Sequence, residues 1–337
     1  MNPDFTPKTV ETIAKRSAYK CSNPDCRAST IGPNSDETKT TLIGEAAHIF
    51  GAREGSKRFD PEMSNKARSD LTNAIWLCRN CHKKIDTDEA MYSSNILFAW
   101  RQKHEEYILS ELGTQTDKIF LEEQNSQLVQ FREFPPLIKR IVIDKPDGWE
   151  WRLAAELLNH LNKDVLRQFR DLHEGLYIKD PIYLQDLEIF DWARQQLREL
   201  TRLLPPLEKL FSKLTESFGA PGEPGDQNEI LHIAKLINQY LTEVLKVEER
   251  IHFTEVSDEF QEIPRLFKNI FGSQLQKLSE VPKHLNKVVS LIGTDHGGTE
   301  ENPTIVHATI DFDLPEDWSE KINEEMRKLA RFMQRNQ

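Results

Sequence analysis

Every cysteine of the 337-residue chain lies between positions 21 and 81, and the four fall into two pairs: Cys21 and Cys26 in CSNPDC, and Cys78 and Cys81 in LCRNCH. Thiols paired at such short spacings, in a chain with so few of them, point to metal binding rather than to a disulfide scaffold. Asn23-Pro24 is expected to turn the chain so that both sulfurs of the first pair face inward. Four thiolates fill a tetrahedral zinc site completely, so the metal would be structural, with no position open to substrate. Four unrelated buried cysteines are the bland alternative, and their gathering in one stretch argues against it. A second set of polar residues surrounds the pairs. Glu45 and His48 follow the apolar TTLIG, Asn73 lies in DLTNAIWLC, His82 follows Cys81 directly, and Asp86 comes four residues later. On a helix over 80–90, His82 and Asp86 project from one face, one turn apart. An imidazole and a carboxylate so placed can hold a divalent cation and leave several of its positions to water and phosphate.

The elements that must position these groups follow in order: a strand ending in a histidine, a loop containing an asparagine, and a helix with two candidate ligands. A further helix is expected over 93–112, capped by Ser93 or Ser94, with Ile96, Leu97, Trp100, Tyr107, Ile108 and Leu112 as its apolar stripe. The polar, Gln-rich stretch 113–130 marks the end of a first domain. Residues 137–144, LIKRIVID, alternate in part and predict a strand. From Trp149 to about Ile292 helical periodicity dominates, with breaks expected at 177–181, at Pro205-Pro206, at 219–226 and near Pro264. A loop over 293–303 holds the pair Gly297-Gly298, a strand is expected in TIVHATIDFDL, and an amphipathic helix over 315–336. The fold class is therefore α+β. The expected division is a domain over 1–112, a linker over 113–135, and a mostly helical domain with a small strand element over 136–337.

The segments GEAAHIFGAREG, RSDLTNAIWLCRNCHKKIDTD and AWRQKHEEY together resemble the HNH (ββα-metal) endonuclease family, over roughly residues 15–110. Zinc-stapled HNH domains with such a pattern occur in DNA-cutting effectors of bacterial anti-phage defence. The resemblance implies an N-terminal ββα-metal domain stapled by zinc on Cys21, Cys26, Cys78 and Cys81. It implies His48 as the general base, Asn73 as the brace that orients it, and His82 and Asp86 as ligands of a catalytic Mg²⁺ or Mn²⁺. Cleavage would leave 5′-phosphate and 3′-hydroxyl ends. The sequence departs from the family at Ala47, where many members place an Asp or His as a further ligand. Two protein ligands suit a Mg²⁺ that keeps several waters. Glu45 lies on the same strand face as Ala47.

Composition limits the alternatives. With 38% apolar and 29% charged residues the chain is not wholly disordered. No apolar run approaches the roughly 18 residues of a membrane span, and the N-terminus has no signal-peptide core. A cytoplasmic protein without membrane contact is expected. The net charge of −11 falls entirely beyond residue 112, because basic and acidic residues balance before it. Basic residues outnumber acidic ones over 50–84, so a DNA-binding surface is expected there, with Arg53, Lys57 and Arg68 as phosphate contacts. The acidic helical domain reads as a sensing, regulatory or partner-binding unit, or as the seat of a homo-oligomer. Two other readings stay open: a non-catalytic zinc-stapled nucleic-acid-binding adaptor, and a nuclease acting on RNA.

Overall fold

The computed structural model describes residues 3–113, 122–220, 222–268, 270, 272–294, 314 and 316–335. It is helix-rich with a few short strands, a mixed α+β architecture. The chain divides into two compact units: Met1–Leu153 with Leu285–Thr304, and Ala154–His284 with Ile305–Gln337.

The first unit is built on one buried strand. Helix α1 (Pro7–Arg16) starts where Thr6 caps it, the threonine Oγ1 accepting from Thr9 N at 3.1 Å, and Pro7 takes a first-turn position that needs no N–H. Strands β1 (Ile31–Pro33) and β2 (Thr40–Leu42) form a small hairpin. Strand β3 (Gly44–His48) then pairs antiparallel with β4 (Ala74–Cys78), in a register that sets Gly44 opposite Cys78 and His48 opposite Ala74. All five residues of β4 are buried. Trp76 is its central knob. Its indole N–H donates to Thr30 Oγ1 at 2.8 Å, and its ring meets Tyr19 edge-on. Gly44 is required by this ring, because a Cβ there would lie 2.3 Å from Trp76 Cζ2. A short helix α2 (Asn65–Ser69) precedes β4. After β4 come α3 (Arg79–Thr87) and α4 (Ser94–Leu112), close to their expected limits.

Residues 136–144 form a helix, α5 (Pro136–Asp144), where the sequence predicts a strand. The physical reason is visible in the spacing. Leu137, Ile138, Ile141 and Val142 recur at helical intervals and are all buried, and Pro136 occupies the first turn. The helical turn also brings Arg140 and Asp144 onto one face, where they meet Glu105 and Arg101 of α4. Arg140 binds Asp144 through two nitrogens, at 2.7 and 2.5 Å, and Glu105 at 2.5 Å. Arg101, 1% exposed, bonds Glu105 at 3.2 Å and the carbonyl of Ala74 at 2.9 Å. Leu128, Phe131 and Phe134 are buried too. The stretch expected as a linker therefore packs into the first unit from at least residue 128, and the expected start of a second domain at 136 falls inside that unit.

Burial works against the charge of Glu105, but Arg140, Arg101 and Arg16 outweigh it and hold the carboxyl well below its usual range. A depressed carboxyl stabilises the fold above the unfolded-state value near 4.3 and loses that contribution as pH falls below it. Replacing Glu105 by alanine leaves two buried guanidinium groups short of a partner. It is expected to lower the stability of this unit by about 3–5 kcal/mol at pH 7, read from urea unfolding, with a smaller difference from wild type at pH ~3.

The second unit is a helical assembly. The long helix α6 (Trp149–His173) enters it, and α7 (Ile189–Glu216) and α8 (Gln227–His252) form its central hairpin. Helix α7 runs through Pro205-Pro206, where the sequence predicts a break. Leu200, Leu207 and Leu214 are buried on both sides of the prolines, so packing against α8 overrides a cost of about 3 kcal/mol for an interior proline. Two-residue strands β5 (Ile182–Tyr183) and β6 (Thr254–Glu255) pair in parallel. Helices α9 (Glu262–Phe267) and α11 (Trp318–Arg335) close the unit through Trp192, Phe267 and Trp318, which meet edge to face, and α10 (Gly272–Leu291) lies between them in sequence. The expected strand in 304–314 and the pair Gly297-Gly298 lie outside the described residues, apart from Leu314. Among the described residues no helix is long and apolar enough to cross a membrane.

Candidate functional site

The four cysteines converge. Their sulfurs all lie within 4.8 Å of one another, with Cys26 and Cys78 at 3.9 Å. A tetrahedral ion with metal–sulfur bonds of about 2.3 Å separates its ligands by about 3.8 Å, so the cluster has the size of a metal site such as a zinc site. The local chain explains the convergence. The Cys26 amide donates to the carbonyl of Asn23 at 3.0 Å, folding the first pair back on itself, and Asn23 Nδ2 donates to the Cys81 sulfur at 3.2 Å. Cys78 ends β4 and caps α3, its sulfur accepting from the Cys81 amide at 3.4 Å. Burial raises the Cys21 thiol strongly and pushes Cys81 up to about 11. For Cys78 burial acts in the same sense, but the Cys81 amide and the neighbouring thiols outweigh it and lower the thiol below its ordinary value.

The same strand and helix carry the second set of groups. His82 and Asp86 project from one face of α3, with Nε2 and Oδ2 3.5 Å apart. His82 Nδ1 lies 2.9 Å from Glu45 Oε2. A carboxylate can only accept, so Nδ1 carries a hydrogen toward Glu45 and Nε2 is turned toward Asp86. Glu45 also bonds Arg79, and the His82 hydrogen bond holds the Glu45 carboxyl below its usual range. Two ligands on adjacent corners of an octahedral Mg²⁺ stand about 3 Å apart, so the separation of His82 and Asp86 fits one such ion after a small adjustment. The bond from Glu45 to His82 is the part least visible beforehand. Period-two alternation placed Glu45 on the face of Ala47, but not its contact with α3.

His48 closes β3, half-buried. Burial lowers its pKa, opposed by the Pro3 carbonyl and Asp4, so the ring is neutral at pH 7. Asn73 is fully buried. Its amide oxygen accepts from Phe50 N at 2.8 Å, and its Nδ2 donates to the carbonyls of Phe50 and Arg68 at 2.9 and 3.0 Å. It thus clamps the backbone two residues beyond His48 and reaches the histidine only through that chain. Arg58, unremarkable in a charged stretch of sequence, ties the same region to α3. It donates to the carbonyls of Ile49 and Ile85 and to Asp86 Oδ1, each at 2.9 Å.

The three expected phosphate contacts separate. Arg53 and Lys57 are exposed and sit near single carboxylates, Asp4 at 2.6 Å and Glu89 at 3.7 Å. Arg68 does not join them. It is 3% exposed, stacks on Phe59, and spends its guanidinium on the carbonyls of Gly51, Asp60 and Met63. Its role is to hold the loop between β3 and α2, which a count of basic residues could not distinguish from a surface role. His104 is buried with Nε2 on the carbonyl of Ser17 at 3.0 Å. No protein-family model matches the chain, and comparison with curated proteins finds none that matches it.

Proposed function

We propose that the chain is a metal-dependent endonuclease of the HNH type that hydrolyses DNA phosphodiester bonds, with a structural zinc on its four cysteines. The observation that carries this reading is the antiparallel pair β3–β4 running into α3. It puts a neutral histidine at the end of one strand beside a helix whose His82 is held by Glu45 and faces Asp86. In this reading His48 takes the proton from a water that attacks the phosphorus. His82 Nε2 and Asp86 would hold a Mg²⁺ or Mn²⁺, which when bound supplies positive charge to a scissile phosphate oxygen and to the leaving 3′-oxygen. Asn73 and Arg58 keep the His48 backbone and α3 in mutual register. Arg53 and Lys57, both exposed, would meet flanking phosphates, so binding should weaken with salt. A role in defence against foreign DNA rests on the resemblance to zinc-stapled effectors. The helical unit would then sense, recruit or oligomerise.

The test is cleavage of plasmid DNA, and of single-stranded RNA of matching sequence, by the full chain in Mg²⁺ or Mn²⁺. Asp86→Ala should raise the metal concentration for half-maximal cutting by roughly 10–100-fold, with rate partly regained in excess metal. Cutting of RNA alone would move the substrate class. Failure of the wild type to bind Mn²⁺ more tightly than Asp86→Ala would remove the catalytic ion from the proposal.

A further inference from the structure

The segment just before α1 lies on the histidine that the nuclease reading requires. The Pro3 carbonyl is 3.2 Å from His48 Nε2, and the Phe5 ring stacks on the imidazole with centroids 3.8 Å apart and planes 8° from parallel. Asp4, between them, forms an ion pair with Arg53 at 2.6 Å. These contacts are anchored in the core. Thr6 caps α1, and α1 buries Ile13 and Ala14 against Trp76 and Ala74, with Phe5 and Val10 packed on the same cluster. Ala74 is the residue paired with His48 across the sheet. The strap and the histidine are therefore held by one body.

We propose that Pro3–Phe5 is a positioning element for His48, selecting its tautomer and fixing its ring plane; this rests on the nuclease reading above for its purpose. A carbonyl oxygen can only accept, so the hydrogen between it and His48 belongs to Nε2. The lone pair is then on Nδ1, which bonds nothing among the described residues and is not among the buried polar atoms without a partner. Nδ1 is the nitrogen left to take a proton from water. The stacked Phe5 face hinders a flip of the ring, which would put Cε1 in place of Nε2 against the Pro3 carbonyl and Cδ2 in place of Nδ1. A base that must meet a water within hydrogen-bond reach gains from both restraints, since small misplacements of a catalytic group are costly. Phe5 and Pro3 act through His48 and need not touch substrate.

The experiment uses the full chain labelled with ¹⁵N-histidine, at pH ~8 where imidazoles are neutral. Long-range ¹H–¹⁵N correlations of the His48 ring, assigned by their loss in His48→Asn, report the tautomer directly. Wild type should show hydrogen on Nε2. Phe5→Ala should show exchange-averaged tautomers, and Phe5→Tyr, which keeps the stacking face, should restore the wild-type pattern. In cleavage assays Phe5→Ala should lose about tenfold in kcat with KM for DNA unchanged, and Phe5→Tyr should recover it. Equal zinc content and melting temperature across the variants establish that the fold is intact. Hydrogen on Nδ1 in wild type, or an unchanged tautomer in Phe5→Ala, would overturn the proposal. Faster cutting by Phe5→Ala would also overturn it and make the strap a plug. The tautomer pattern seen in a protein that cuts no nucleic acid would retain the strap and refute the nuclease reading instead.

Discussion

His48→Ala should abolish measurable cleavage, a fall of about 10²–10⁴-fold, while zinc content and Mn²⁺ affinity stay at wild-type levels. The two halves of the result follow from where His48 sits. It closes β3 at the end far from the cysteines, since the register sets Gly44, not His48, opposite Cys78. The ligand pair on α3 is oriented by Glu45 and Arg58, neither of which the substitution touches. The pH profile supplies a second check. A general base works when unprotonated, and burial lowers the His48 pKa. The acid limb of the rate should therefore fall below the ordinary histidine value of about 6.5, and activity should be retained down through pH 6.5. Beside burial, the Pro3 carbonyl, Asp4 and Arg53 act on its final position. Undiminished cutting by His48→Ala would place the base elsewhere.

Much of this site could be read from residue order, and the parts that could not share a cause. The cysteine pairs, the strand carrying His48, the loop with Asn73 and the one-turn spacing of His82 and Asp86 are local signals: short spacings and single elements. The structure gathers the four cysteines and sets His82 against Asp86. What the sequence could not show are pairings across long separations. Glu45 bonds His82 from 37 residues away, Arg58 reaches Asp86 from 28, and Pro3 reaches His48 from 45. Arg68 was misjudged for the same reason. Its carbonyl partners are backbone groups, which have no side-chain signature. The strand predicted over 137–144 fails differently. Partial alternation in LIKRIVID competes with a helical spacing of the same apolar residues, and tertiary contacts decide the contest. As a helix the segment places Arg140 on both Glu105 and Asp144, and a strand would set Arg140 and Asp144 with their intervening residues alternating across two faces. Pro205-Pro206 teaches the converse: a local breaker yields when buried leucines on both sides hold the helix to its partner.

Protein purified without added metal should carry one zinc per chain, and Cys78→Ser should lose it together with the folded state of the first unit. Cys78 has three jobs at one position. It ends the fully buried strand β4, caps α3 through its sulfur, and contributes a ligand to the cluster. The sheet it belongs to is only two strands of five residues, and a pair of that size is not stable by itself in water. A structural zinc contributes on the order of 10–16 kcal/mol, as much as the whole stability of a typical domain. Its loss therefore exceeds what the Trp76 cluster and the Arg140 network can offset. The expected readouts are absence of zinc by elemental analysis, loss of near-ultraviolet circular dichroism from Trp76 and Tyr19, and no cleavage. The comparison with His48→Ala is informative, because both variants should be inactive but only Cys78→Ser should lose the metal and the fold. A zinc-free Cys78→Ser protein that melts with wild-type cooperativity would show that the four sulfurs gather for packing alone. Serine can still accept from the Cys81 amide at the start of α3, so activity should fail in Cys78→Ser even where folding is partly rescued by low temperature only if the lost cluster is what fixes the Cys78–Cys81 turn from which His82 and Asp86 project.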